Sequence, residues 1–179
     1  FGVNASTIAP RVVAGDMRVN ERLMSLSAMA FGSLKVDDLS VRAKATYGQN
    51  TSHMQQPTGF GIVATSDNGV NSYESMQLGS AWLTMMYGKK LRYGFFAGWL
   101  KNYGSAGKDY TSLVVRNNLG MDQAYRFSPI VTYKVENMQI GLEYEHTATA
   151  YGDYQPSGMV TNTHWVANNR VCMMVKYDF

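Results

Sequence analysis

Residues 169–179 read N-R-V-C-M-M-V-K-Y-D-F. Val171, Met173, Val175, Tyr177 and Phe179 share one parity, and Arg170, Cys172, Met174, Lys176 and Asp178 the other. Successive side chains of a strand point to opposite faces. The spacing therefore predicts a strand with one apolar and one mostly polar face, closing on an aromatic residue. Such a strand occurs in soluble sheets and in membrane barrels alike, so the number of upstream segments that repeat it becomes the deciding observation.

Seven do. Residues 5–14 predict a first strand with Ile8, Pro10, Val12 and Ala14 on one face and Arg11 on the other, weakened at Pro10, which has no N–H to donate. Residues 23–34 carry Met24, Leu26, Ala28, Ala30 and Leu34 at even positions, with Met29 and Phe31 blurring the choice of face. In 39–48, Leu39, Val41, Ala43, Ala45 and Tyr47 oppose Ser40, Arg42, Lys44 and Thr46. Residues 73–86 are read with Met76, Leu78, Trp82 and Met86 on the apolar face, against Gln77, Gly79 and Ala81. In 91–100, Leu91, Tyr93, Phe95, Ala97 and Trp99 oppose Arg92, Gly94, Phe96, Gly98 and Leu100. Residues 124–133 place Tyr125, Phe127, Pro129, Val131 and Tyr133 opposite Arg126, Ser128, Ile130 and Thr132. Residues 138–150 alternate Met138, Ile140, Leu142, Tyr144 and His146 with Gln139, Gly141, Glu143 and Glu145. No segment holds a helical period over a window of about 11 residues, so the fold class is all-β with essentially no helix.

Connection lengths order these strands. Short turns are expected at 36–38, 88–90 and 134–137, and long polar loops at 49–72, 101–123 and 151–167, the first of them mobile. Short and long connections alternate, as in an antiparallel up-and-down barrel of about eight strands spanning residues 1–179.

Charged residues make up 16% of the 179-residue chain, well below the usual value of about 25%. The formal charge is +3, too mild and too dispersed for a nucleic-acid partner. No run of 18 apolar residues is present for a membrane helix, but a spanning strand needs only about ten residues with alternate ones apolar. The sequence opens on Phe1 rather than Met, as a mature, trimmed or partial chain would, and a lone Cys172 excludes an internal disulfide.

The apolar parity gathers Trp82, Tyr93, Phe95, Trp99, Tyr125, Phe127, Tyr133, Tyr144, Tyr177 and Phe179. A soluble eight-stranded barrel would pack all these rings into a lumen only just wide enough for side chains. The other parity, rich in Gly, Ser, Thr and charge, suits an interior. Tyr47, Tyr93, Trp99, Tyr125, Tyr133 and Tyr177 fall near strand ends, where amphipathic rings are stable at membrane interfaces. The expectation is a membrane-spanning barrel with its apolar parity outward, in contact with outer-membrane lipid or lipopolysaccharide.

The terminal V-C-M-M-V-K-Y-D-F resembles the last strand of Gram-negative outer-membrane proteins, with Phe179 as the final aromatic residue and Tyr177, Val175 and Met173 at the alternate hydrophobic places. The resemblance implies an outer-membrane location and recognition of these four residues by the barrel-assembly machinery. The stretch Y-R-F-S-P-I-V-T-Y-K from Tyr125, followed by M-Q-I-G-L-E-Y-E-H-T-A-T-A-Y from Met138, is similar to the carboxyl-terminal part of porin-like proteins of Bacteroidota. That similarity implies a larger barrel, of which this chain would be the last eight strands.

No catalytic constellation emerges. His53, His146 and His164 are dispersed, and neither a G-x-S-x-G nucleophile setting nor a G-x-x-x-x-G-K-[ST] phosphate loop is present. No enzyme activity, metal or cofactor is expected, and Cys172 reads as a small packed residue. The ionisable residues of the polar parity are Arg11, Arg42, Lys44, Arg92, Arg126, Glu143, Glu145, Arg170, Lys176 and Asp178. Arg or Lys costs about 2–4 kcal/mol on the lipid face near mid-depth, so all ten are expected to line the lumen. Glu143 and Glu145 are placed to pair with Arg170 or Lys176, leaving Arg42, Lys44, Arg92 and Arg126 as an electropositive wall. With an open lumen the function is a porin-like channel for passive diffusion of small hydrophilic solutes. With a closed lumen of eight strands it is a small structural or adhesion-type barrel whose loops 49–72, 102–123 and 151–167 bind a partner. A homo-oligomer or an outer-membrane partner protein fits either.

Overall fold

The structure, a computed structural model, describes residues 1–54, 56–115 and 120–178. Thirteen strands run in chain order: β1 Gly2–Ile8, β2 Val13–Ala14, β3 Met17–Arg18, β4 Leu23–Val36, β5 Leu39–Gln49, β6 Gly59–Thr65, β7 Asn71–Ser75, β8 Gln77–Gly88, β9 Leu91–Gly104, β10 Ser112–Val115, β11 Met121–Val135, β12 Met138–Tyr154 and β13 Val160–Tyr177. Among the described residues the only helical turn is a 3-10 turn at Thr51–Met54.

Eight of these strands form one antiparallel sheet in the order β1-β4-β5-β8-β9-β11-β12-β13, each beside its predecessor in the meander. Tight reversals join the strands at one rim. Asp37 (φ 48°) and Glu136 (φ 50°) take left-handed backbone conformations there, and Gly88 (φ 116°) supplies a third positive φ that only glycine adopts easily. The two faces predicted for β5, β9, β11, β12 and β13 match the pairing register, and burial alternates most clearly in β11 and β12. Tyr47, Tyr93, Trp99, Tyr125, Phe127, Tyr133, Leu142, Val171 and Met173 are exposed on one face, while Thr46, Ser128 and Thr132 are buried on the other.

A closed eight-stranded barrel is not formed: β1 and β13 are not paired with each other among the described residues, and both stand as edges of the sheet. The predicted first strand also differs. It ends at Ile8, two residues before Pro10, and the residues beyond it form the small β2–β3 hairpin instead. Nor is 49–72 an irregular loop. Besides the 3-10 turn it holds β6 and the start of β7, and β10 adds to β6, giving a second sheet in the order β10-β6-β7. The other long connections shrink for the same reason. β9 runs on to Gly104, and β12 and β13 leave only residues 155–159 between them.

Pairing register corrects two faces. Ile8 lies opposite Leu23, on the parity of Ser25 and Ser27, so β1 turns Val3, Ala5 and Thr7 to the apolar face instead. Ala45 lies opposite Ala81, Ala43 opposite Leu83 and Lys44 opposite Trp82, so Trp82 stands with the charged residues and Ala81, Leu83, Met85 and Tyr87 stand on the apolar face. Both parities of 81–87 are apolar enough that alternation alone could not choose, and a register shift between Gln77 and Leu78 detaches Met76 and Leu78 from the strand's own count. Met76 and Leu78 are instead the largest fully buried apolar side chains, where β7 hands over to β8 between the two sheets.

Candidate functional site

The polar face of the large sheet carries the charge. Arg42, Lys44, Arg92, Arg126, Glu143, Glu145, Arg170 and Lys176 share it by register, and Asp178 follows just past the end of β13. Arg11 does not. It sits beyond β1, where Nη2 is 2.7 Å from Glu21 Oε1 and Nε is 2.8 Å from Oε2. Met173, Val175 and Tyr177 lie on the apolar face opposite Leu142, Ile140 and Met138, while Phe179 lies outside the described residues.

At the β11–β12–β13 end the charges are joined. Glu145 Oε2 is 2.6 Å from Nη2 of both Arg126 and Arg170, and Glu143 Oε1 is 3.0 Å from Arg126 Nη2. The pairing of Glu145 with Arg170 is the one expected from sequence. Arg126, expected to stay free, is neutralised by two carboxylates, and Lys176 pairs with Asp178 at 2.6 Å rather than with a glutamate. These groups are partly exposed, so each pair is worth roughly 1 kcal/mol or less, and the effect that matters is the fixed direction of the guanidinium groups. Arg42, Lys44 and Arg92 make no ion pair among the described residues.

Beside this ladder lies an open cleft of about 330 Å³. Its floor is a cross-strand row on the polar face, Trp82, Gly98, Arg126 and Thr147. The rings of Trp82 and Phe96 are inclined by only 29° with centroids 6.3 Å apart, and the Arg126 guanidinium carbon stands 5.4 Å from the Phe96 centroid. Gly98 makes this arrangement possible. A Cβ there would come within 2.9 Å of Cε1 and Cζ of Phe96, so the ring lies down over bare backbone. Gln56, from the chain that folds over the sheet after the 3-10 turn, forms a wall. Its Nε2 donates to Ser80 Oγ at 2.9 Å, and its Oε1 is buried with no hydrogen-bond partner.

No family model, curated protein or solved structure matches the chain. Its functional reading therefore rests on geometry alone.

At the opposite rim from the tight turns, the long connections lock together. Glu21, fully buried at its carboxylate, accepts from Arg11, from the Asn71 amide at 2.7 Å and from the Tyr73 hydroxyl at 2.6 Å. Arg11 also donates to the Gly69 carbonyl. The Arg11 hydrogen bond, with smaller contributions from Asn71 and Tyr73, holds the Glu21 carboxyl down at about 2 against the opposing effect of burial. Burial, reinforced by donation to Glu21, raises the Tyr73 hydroxyl. Tyr110, held above its ordinary value by burial, packs against Gly61 and Gly158, and its amide donates to the Pro156 carbonyl at 2.7 Å. No group of three or more His, Cys, Asp or Glu placed to hold a metal occurs among the described residues.

Sequence reasoning did not single out Trp82, Phe96, Gly98 and Gln56 as a site. The available signal was the pair Phe96 and Gly98 on a parity otherwise polar, next to Arg92 and Arg126.

Proposed function

We propose that the chain is part of the wall of a larger, porin-like outer-membrane barrel through which small hydrophilic solutes diffuse. The observation that carries this reading is the two-faced sheet with unpaired edges. Between its two aromatic levels the apolar face bears no Asp, Glu, Lys or Arg among the described residues, while the opposite face gathers Arg, Lys and Glu. The levels also have the right separation. Tyr125 and Tyr133 are eight residues apart on β11, and Trp165 and Tyr177 twelve apart on β13. At about 3.4 Å per residue and a tilt of about 40°, the levels stand about 20–30 Å apart, which brackets the apolar band of about 25 Å around outer-membrane barrels. Aromatic tips at the loop-side level find polar partners, as Trp99 Nε1 does with Gln123 Oε1 at 3.4 Å and Tyr47 with Gln77.

The free edges favour the large barrel over the small one. An exposed edge of a long strand such as β13 leaves a row of backbone donors and acceptors unpaired, which lipid does not tolerate. Further strands must then complete the wall, and a barrel of about 16 strands leaves an aqueous lumen where eight would not. Met173, Val175, Tyr177 and Phe179 remain the proposed signal to the assembly machinery.

Fractionation and single-channel recording test this reading. The full-length protein is expected in the detergent-extracted outer-membrane fraction and to give stable conductance steps in planar bilayers. Recovery as a detergent-independent periplasmic protein would overturn it.

A further inference from the structure

The cleft on the polar face joins two features that seldom meet on a surface meant only for water. Trp82 and Phe96 present nearly parallel rings. Around them stand polar groups of both hydrogen-bonding senses, the Arg126 guanidinium and the Ser80 hydroxyl. We infer that this aromatic platform binds the pyranose ring of a neutral sugar. The inference rests on the pore reading for its biological setting, but the site itself stands on the chain's own residues.

Each part of the chemistry has a counterpart. A pyranose ring has faces of C–H groups that carry a small positive charge and pack on the electron-rich face of an aromatic ring. Its rim of hydroxyls donates and accepts. Ser80 Oγ, which accepts from Gln56 Nε2 at 2.9 Å, carries a hydroxyl hydrogen that it can donate to that rim. Arg126 donates, directed by Ser128 Oγ at 3.0 Å and by Glu143 and Glu145. A volume of about 330 Å³ lies at the lower end of the range for small-molecule clefts, about 300–1,000 Å³.

Charge selects the neutral member of the class. The positive charge facing the cleft from Arg126 is already balanced by Glu143 and Glu145, so an acidic sugar finds little unspent attraction there. A purely apolar ligand offers no hydrogen-bond partner to the Ser80 hydroxyl or the Arg126 guanidinium that line the cleft.

Calorimetric titration of the folded full-length protein in detergent with maltotriose, cellotriose, glucuronate and triethylene glycol tests the inference. One or both trisaccharides should bind, and the acyclic polyether and the acidic sugar should bind more weakly. Trp82→Ala and Phe96→Ala should each weaken binding about tenfold, as the loss of an aromatic contact predicts. Gly98→Ala should weaken it too, because the new Cβ lifts Phe96 off the backbone without removing any binding group. Tyr133→Phe, on the opposite face and outside the cleft, should leave the affinity unchanged. Wild-type affinity in both Trp82→Ala and Phe96→Ala, each shown to be folded by heat-modifiable mobility, would overturn the inference, as would tighter binding of glucuronate or no trisaccharide binding at all. Conductance of the same preparations separates the two readings. Conductance without sugar binding sinks only the sugar site, and sugar binding without conductance sinks only the pore.

Discussion

Arg11 and Glu21 close the ends of the β2–β3 hairpin onto each other, with Arg11 Nη2 2.7 Å from Glu21 Oε1. The same carboxylate accepts from Asn71 and Tyr73, so one buried charge ties the β1–β4 connection to the β6–β7 hairpin. Chiefly through the Arg11 hydrogen bond, the Glu21 carboxyl is held down at about 2, below its ordinary 4.5. Its contribution is fully present above pH 4.5 and is lost as pH falls through about 2. Hydrogen exchange at the Asn71 amide, corrected for intrinsic rate, should therefore accelerate between pH 4 and pH 2 in the wild type. In Glu21→Gln the protection should be low throughout and independent of pH across that window. Equal protection in wild type and variant at pH 5 would show that the tie holds nothing.

The face assignment predicts unequal tolerance to charge. Leu142 is half exposed on the apolar face, between the aromatic levels and one alternate position from their midpoint at Tyr144, and Asn168 lies on the polar face opposite Thr147. Arginine at a lipid-facing mid-depth position costs about 2–4 kcal/mol, and in an aqueous lumen close to nothing. Leu142→Arg should sharply lower the yield of heat-modifiable, folded protein in lipid vesicles, while Asn168→Arg should fold like the wild type. Equal yields would remove the argument that the apolar face meets lipid.

How far the sequence could be read depended on how cleanly each strand separates its two parities. β11, β12 and β13 separate their parities well, and Arg92, Arg126, Glu143, Glu145, Arg170 and Lys176 lie on the predicted face, whereas Lys101, read as loop, extends β9 on the apolar parity opposite Gln123. β8 defeats the method, because Leu83 and Met85 compete with Trp82 and Met86 and only pairing to β5 settles which pair faces which way. Arg11 was misplaced for a related reason: its parity was counted through Pro10, where the strand has already ended. The cleft was illegible because it joins residues from β8, β9 and β11 with Gln56, which sits in a polar stretch whose sequence has no period. Short polar segments rich in Gly, Ser and Thr look alike whether they form a loose loop or, as at 59–75, a hairpin held by a third strand.

Unpaired charge on the polar face predicts ion preference if the face lines a pore. Arg42, Lys44 and Arg92 lack ion-pair partners among the described residues, whereas Arg126 and Arg170 share Glu143 and Glu145. Fixed positive charge concentrates small anions, and salt screens it over about 8 Å at physiological ionic strength. Reversal potentials across a KCl gradient should show a modest chloride preference that fades as salt rises. Arg42→Glu and Arg92→Glu should shift it toward potassium, and Arg126→Gln should shift it less. Cation preference in the wild type would contradict this account of the wall.

Cys172 reports on the lumen itself. It sits on the polar face opposite Glu143, partly exposed, and its neighbour Val171 is exposed on the apolar face. A thiol reacts as thiolate, and thiolate forms readily in water but not in hydrocarbon. A membrane-impermeant thiosulfonate added to protein in lipid vesicles should therefore modify Cys172 within minutes. In a Cys172→Ser background, the thiol of Val171→Cys should stay unmodified until detergent replaces lipid. Reaction at both positions would mean that the apolar face is also wet, as in a soluble sheet. Reaction at neither would mean that Cys172 is sealed inside packed side chains, as in a narrow closed barrel, and the pore reading would fall with it.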